Sequence, residues 1–229
     1  MQATVLVVAA HPDDEVLGCG GTISRMGAEG HAVHVLILAE GVTSRDVARD
    51  ASGRSAQIAA LAAQAKRANE TLGGASLQLL GFPDNRMDGV ALLDLVKVVE
   101  DAIARHAPRI VLTHGSGDVN IDHQQVHDAV VTACRPTPGQ AVKELLFFEV
   151  PSSTEWRPPS SRPSFAPNCY VDISAHLAQK LAALQAYAGE LREFPHPRSL
   201  AAVEALAHWR GASVGVEAAE AFILGRSLR

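Results

Sequence analysis

Five short runs of aliphatic and β-branched residues, at 4–10, 33–39, 77–80, 110–113 and 145–150, punctuate the first 150 residues of this 229-residue chain. The first two, TVLVVAA and VHVLILA, are apolar without alternation, the pattern of strands covered on both faces in a parallel sheet. Stretches of helical composition at 16–28, 53–72, 92–106 and 122–134 lie between the runs. This alternation predicts a three-layer α/β fold: a Rossmann-like, mainly parallel sheet with right-handed crossovers and helices on both faces. The tail adds an expected strand at 169–173 and expected helices near 175–191, 200–209 and 215–224. A Pro/Ser-rich tract at 151–167 holds five prolines and six serines or threonines, and is expected to be a long loop. The segment beyond that loop is too short to bury a core alone, so residues 1–229 are read as one domain.

Composition narrows the function. Lys+Arg number 20 and Asp+Glu 25, a formal net charge of −5, which gives no electrostatic claim on nucleic acid or on an anionic membrane. No apolar run approaches the ~18–20 residues of a membrane span. The apolar start lacks a basic leader and runs into charged residues, so it is not read as a secretory signal. Cys19, Cys134 and Cys169 are odd in number and widely spaced, which excludes a disulfide framework and a thiolate zinc ribbon. A cytoplasmic protein is expected. The alanines in 59–68 and 201–207 offer packing surface or a contact for a homo-oligomer.

In an open α/β sheet, ligands bind beyond the carboxyl ends of the strands, where strand order reverses. The first strand ends in His11-Pro12-Asp13-Asp14-Glu15. Gly18, Gly20 and Gly21 come too late for a dinucleotide fingerprint, so the nucleotide reading is weak. Crowding one imidazole and three carboxylates into five residues is electrostatically costly unless a cation neutralises the acids or the groups point apart into water, and imidazole with carboxylate suits Zn²⁺. The same acids would also suit a helix N-terminus. A second polar cluster comes after the fourth strand: His114, Asp118, Asn120, Asp122 and His123, with His127 one helical turn later on the same face as His123. Glu40, Arg45, Asp84, Asn85 and Arg86 also lie beyond strand ends, where they would offer donors and acceptors to a sugar. Trp156, in the Pro/Ser-rich loop, would stack on a sugar ring or anchor the loop.

With these two motifs the chain resembles the PIG-L (LmbE-like) zinc-dependent deacetylases. The resemblance extends to Glu40-Gly41, Phe82-Pro-Asp84, Pro195-His-Pro-Arg-Ser199 and Ala219-Glu-Ala-Phe222. It implies that His11, Asp14 and His123 bind zinc, with Fe²⁺ or another divalent ion as the alternative, and that Asp13 is the general base. Asp122 would orient a ligand imidazole. Many members carry His-Pro-Asp-His in the second motif, whereas this chain has Asn120-Ile-Asp122-His123. Asn120 can donate to an oxyanion but cannot act as an acid. His127 or His196 would supply the missing imidazole, and His127 is also the alternative ligand. The implied activity is removal of acetyl from an N-acetylglucosamine-type amino sugar or its conjugate. The alternatives are hydrolysis of another small-molecule amide, such as a thiol conjugate, and a zinc-containing binding module with weakened catalysis.

Overall fold

A computed structural model describes residues 2–158 and 163–229; part of the expected loop, residues 159–162, lies outside them. Among the described residues seven strands form one sheet: β1 (Thr4–Ala9), β2 (Ala32–Ala39), β3 (Ser76–Phe82), β4 (Ile110–His114), β5 (Glu144–Phe148), β6 (Cys169–Asp172) and β7 (Ala219–Ser227), in the order β3-β2-β1-β4-β5-β7-β6. The five strands from β3 to β5 are mutually parallel, and β7 runs antiparallel to both β5 and β6. Among the described residues, six α-helices lie between them: α1 (Asp14–Ala28), α2 (Ser55–Leu72), α3 (Leu92–His106), α4 (Ile121–Ala133), α5 (Leu177–Gln185) and α6 (Leu200–Ala212). The mainly parallel α/β sheet read from the alternation of runs is the fold observed.

Strand β1 shows why its run is apolar throughout. Side chains alternate across a strand, so Val5, Val7 and Ala9 enter one core, shared with α1, α2 and α5, while Leu6, Val8 and Ala10 enter the other, shared with α3 and α4. All six are buried, leaving no position for a polar residue until the strand ends at the motif. The glycines beyond the motif serve packing. A Cβ on Gly18 would stand 2.3 Å from the Phe148 ring, and one on Gly21 would stand 2.7 Å from Ile173.

One expected element is wrong. Composition predicts a helix over 215–224, and Ala219–Ser227 is strand β7. Alanine and glutamate favour a helix locally, but Phe222 pairs with Phe148 of β5 and Cys169 of β6, and the ladder on both sides overrides that preference. Strand order reverses between β1 and β4, so the loops after these two strands face the same crevice. No helix among the described residues is long and apolar enough to cross a membrane.

Candidate metal centre and active site

Of the acids in the turn after β1, Glu15 serves the helix start, its Oε2 accepting the Asp13 backbone N–H at 3.1 Å, whereas the Asp13 carboxylate does not cap. Asp13 is the N-cap residue of α1, yet its carboxylate makes no capping bond. Its backbone sits at φ 106°, a left-handed conformation that a non-glycine residue adopts only when its surroundings enforce it. Arg198 Nη1 donates to Asp13 Oδ2 at 2.9 Å. Asp14 is fully buried, and its Oδ2 accepts the His11 backbone N–H at 2.8 Å. Across the crevice, α4 begins at Asn120, whose Oδ1 accepts the backbone N–H groups of Asp122 (2.8 Å) and His123 (3.4 Å). The residue that departs from the resembled motif is therefore the cap that starts the helix carrying Asp122 and His123.

His11, Asp14 and His123 converge, with one candidate ligand atom from each lying within 4.8 Å of the others. Asp14 Oδ2 stands 3.2 Å from His11 Nδ1 and 3.2 Å from His123 Nε2. Donors around a tetrahedral zinc with bonds of ~2.0–2.1 Å sit about 3.3 Å apart, so the spacing suits such an ion. Two buried atoms of this trio, Asp14 Oδ1 and His123 Nε2, have no hydrogen-bond partner among the described residues. Buried polar atoms without a partner are costly unless water or an ion completes them, and here they lie on ligand-type groups. The far nitrogens of both imidazoles are held by carboxylates: His11 Nε2 by Asp122 Oδ2 at 2.9 Å, and His123 Nδ1 by Asp118 Oδ2 at 3.1 Å. Partners of this kind fix the ring and raise its basicity toward a metal.

A second trio, His11 with Asp84 and Asp122, is finished differently. Asp122 accepts the backbone N–H groups of Asn85 (2.6 Å) and Met87 (2.9 Å), while Asp84 accepts from Ser44 N–H (3.0 Å) and Asn85 Nδ2 (3.0 Å). Its carboxylates are satisfied by protein, so this trio orients His11, and the first trio is the one suited to an ion.

Electrostatics agree. Burial works against charge on His123, yet Asp14 and Asp118 carry it up to about 9. Burial likewise opposes charge on His11, and its bonds to Asp122 and Asp14 raise it all the same. Carboxylates that draw protons onto these rings would also favour a dication, which binds by displacing those protons. Burial pushes Asp13 up to about 7 against the lowering effect of Arg198. Beside it, burial lifts Glu15 to about 8 although Tyr187 donates to its Oε1 at 2.6 Å.

The other expected site residues are placed variously. Asp84, Asn85 and Arg86 line an open cleft of about 450 Å³ with Ser44, Asp88 and Gly89. Arg86 is exposed and donates to the carbonyls of Asp46 and Val47. Glu40 is buried and accepts from Arg49 and Thr43, and Arg45 pairs with Glu190 at 2.7 Å. Asn120 Nδ2 donates to Asn85 Oδ1 at 2.8 Å. His127 lies outside both trios: its Nδ1 is 2.8 Å from the His114 carbonyl and its ring packs on Phe147. The His196 ring meets Trp156 edge-on at 5.8 Å.

Three residues carry roles that the sequence does not assign them: Asp118, Arg198, and His114, whose ring stacks on His123 at 4.0 Å. Arg198 lies in the Pro195–Ser199 motif, where His196 is the more conspicuous side chain. For Asp118, position in the cluster after β4 is the available signal.

Residues 6–134 match the family described as PIG-L, GlcNAc-PI de-N-acetylase. An uncharacterized deacetylase of Escherichia coli, YaiS, is 28% identical over 79% of this chain and 88% of its own length. A 4-oxalmesaconate hydratase of Pseudomonas putida is 29% identical over 82% of this chain and 74% of its own. The 1D-myo-inositol 2-acetamido-2-deoxy-α-D-glucopyranoside deacetylase of Mycolicibacterium vanbaalenii is 28% identical over 87% and 84%. Among solved structures, the conserved protein TT1542 of Thermus thermophilus is 30% identical and superposes with a TM-score of 0.74, over 100% of this chain and 97% of that one.

Proposed function

This chain belongs to the PIG-L family, and on that premise we propose that it is a zinc-dependent hydrolase that removes acetyl from an N-acetylglucosamine-type amino sugar or its conjugate. The observation that carries this reading is the buried trio His11, Asp14 and His123, with two orphaned atoms inside it and Asp13 beside it. Zinc held there supplies a Lewis acid and lowers the pKa of water. Asp13 Oδ2 is tied to Arg198, which leaves Oδ1 to accept a proton as the water oxygen bonds the acetyl carbon. The C–N bond then breaks with its electron pair on nitrogen, Asp13 returns the proton there, and the amine leaves with acetic acid, which keeps the second water proton and ionises to acetate in solution. Asn120 and His196 are the candidate donors to the oxyanion, on segments anchored to Asn85 and Arg198 respectively. The cleft beside Asp84 and Arg86 would receive the sugar hydroxyls. Glu40 and Arg45, already paired within the chain, would shape the cleft's wall.

The test is acetate release from a panel of N-acetylglucosamine derivatives, before and after chelation and with zinc restored. Release that stops on chelation and returns with zinc is the expected result; release indifferent to chelation overturns the reading. The similarity to the hydratase of Pseudomonas putida favours a second reading, in which the same site delivers water to a carbon–carbon double bond. Under that reading zinc binds but no acetate appears from any member of the panel.

A further inference from the structure

We propose that Arg198 is the positioning residue for Asp13, joining the base to the loop that fixes the metal ligand His123; this rests on Asp13 being the base. Four described non-glycine residues adopt a left-handed φ, and two of them, Asp13 at 106° and Ser152 at 69°, are grasped by one guanidinium. Arg198 Nη1 donates to Asp13 Oδ2 at 2.9 Å and Nε donates to Ser152 Oγ at 2.6 Å.

Each end of this clamp is itself fixed. The Arg198 backbone N–H donates to His196 Nδ1 at 3.1 Å, and the next residue, Ser199, caps α6 by accepting the Ala202 N–H at 3.1 Å. On the other side, Glu155 accepts the backbone N–H groups of Ser152 (2.7 Å) and Ser153 (3.2 Å). The hydroxyls of Ser153 and Thr154 donate to Asp118, the carboxylate that holds His123 Nδ1. A continuous set of bonds thus runs from the base through Arg198 and residues 152–154 to Asp118 and His123. Its effect is to set where the Asp13 carboxylate stands relative to the ligand trio. The planar guanidinium fork holds its donors to the two acceptors at fixed angles, whereas a lysine ammonium is a compact charge on a flexible stem. Arg198 is half-buried, and its bonds to Asp13 and Ser152 use Nη1 and Nε.

The test compares wild type, Arg198→Ala, Arg198→Lys and Asp13→Asn in deacetylation of N,N′-diacetylchitobiose and methyl N-acetylglucosaminide, monitored by amine detection. Bound zinc and crystal structures are determined for each variant. Misplacing a reacting group by ~1 Å costs about 100-fold, so Arg198→Ala is expected to lose about that factor in kcat with KM and zinc content unchanged. Guanidinium ion at non-denaturing concentration should restore part of the loss, and Arg198→Lys should remain impaired. In the Arg198→Ala crystal structure, the Asp13 carboxylate should leave its position. An unchanged kcat, a loss carried by KM alone, loss of zinc, or an unmoved Asp13 overturns the proposal. The crystallographic comparison decides it even where neither sugar is turned over. Inactive Asp13→Asn beside fully active Arg198→Ala removes this proposal alone, whereas active Asp13→Asn removes the base reading beneath it.

Discussion

Helix α1 carries two clusters of buried charge, one at its first residue and one at the kink around Cys19, and they are finished differently. At the kink, Cys19 leaves helical geometry (φ −148°, ψ 24°), which exposes backbone groups that an unbroken helix would pair internally. Glu220 of β7 accepts the N–H groups of Gly21 (2.9 Å) and Thr22 (2.7 Å), and Lys180 of α5 donates to the Leu17 carbonyl (2.8 Å) and to Glu220. Both side chains are almost wholly buried, and neither leaves a polar atom without a partner among the described residues. At the first residue, Asp14 is as deeply buried, yet its Oδ1 is orphaned and so is the facing His123 Nε2. Depth of burial therefore does not separate structural charge from chemical charge. Completeness of bonding at the charged groups does: at the kink Glu220 and Lys180 are fully partnered although, among the described residues, the Thr22 hydroxyl is not, while at the first residue the charged ligand-type groups themselves are open.

Neutralising the open cluster should have the largest effect. Asp14→Asn should weaken zinc binding by more than about 100-fold, beyond the 10–100-fold that accompanies loss of an outer partner. Chelator competition would measure it. Zinc retained by Asp14→Asn would place the ion elsewhere and end the distinction. Neutralising the closed cluster should do the reverse. Glu220→Gln strands the Lys180 ammonium and should cost about 3–5 kcal/mol in urea unfolding, with the zinc affinity of the folded protein unchanged. A stable Glu220→Gln, or one that loses zinc, would show that the two clusters are not independent.

The same contrast explains what is legible in the sequence. His11, Asp14 and His123 announce themselves because the β-α alternation fixes strand ends, and strand ends at the reversal of strand order face one crevice. Glu220 gives no such sign. Its surroundings read as helix, and its meaning comes from N–H groups 198 and 199 positions away, freed by a kink that composition does not mark. Arg198 likewise meets Asp13 across 185 residues, and in its motif the neighbouring imidazole is the more conspicuous chemistry. Glu40 and Arg45 are legible as strand-end residues, but not as already paired ones. Arg49, the partner that occupies Glu40, lies on an irregular segment whose path no periodicity predicts. Local pattern reveals which residues reach the crevice; only the folded chain reveals which arrive with their bonding already complete.

Glu40 offers the smallest and most discriminating test, because its place after a strand end predicts contact with substrate, and it is found closed like Glu220. The hydrogen bond from Arg49 lowers its pKa from 4.5. A carboxylate with a depressed folded-state value adds stability that is fully present above the unfolded pKa. That stability is lost as pH falls through the folded one. The difference in urea midpoint between wild type and Arg49→Gln should therefore be present at pH 6–7 and shrink below about pH 4. Arg49 is itself substantially exposed, so the effect should stay within the ~0–1 kcal/mol of solvent-screened pairs. Substrate KM should not change with it. If KM rises in Arg49→Gln while the urea midpoint shows no pH-dependent difference, Glu40 belongs to the open side of the comparison, and its bonds to Arg49 and Thr43 are a resting arrangement that substrate replaces.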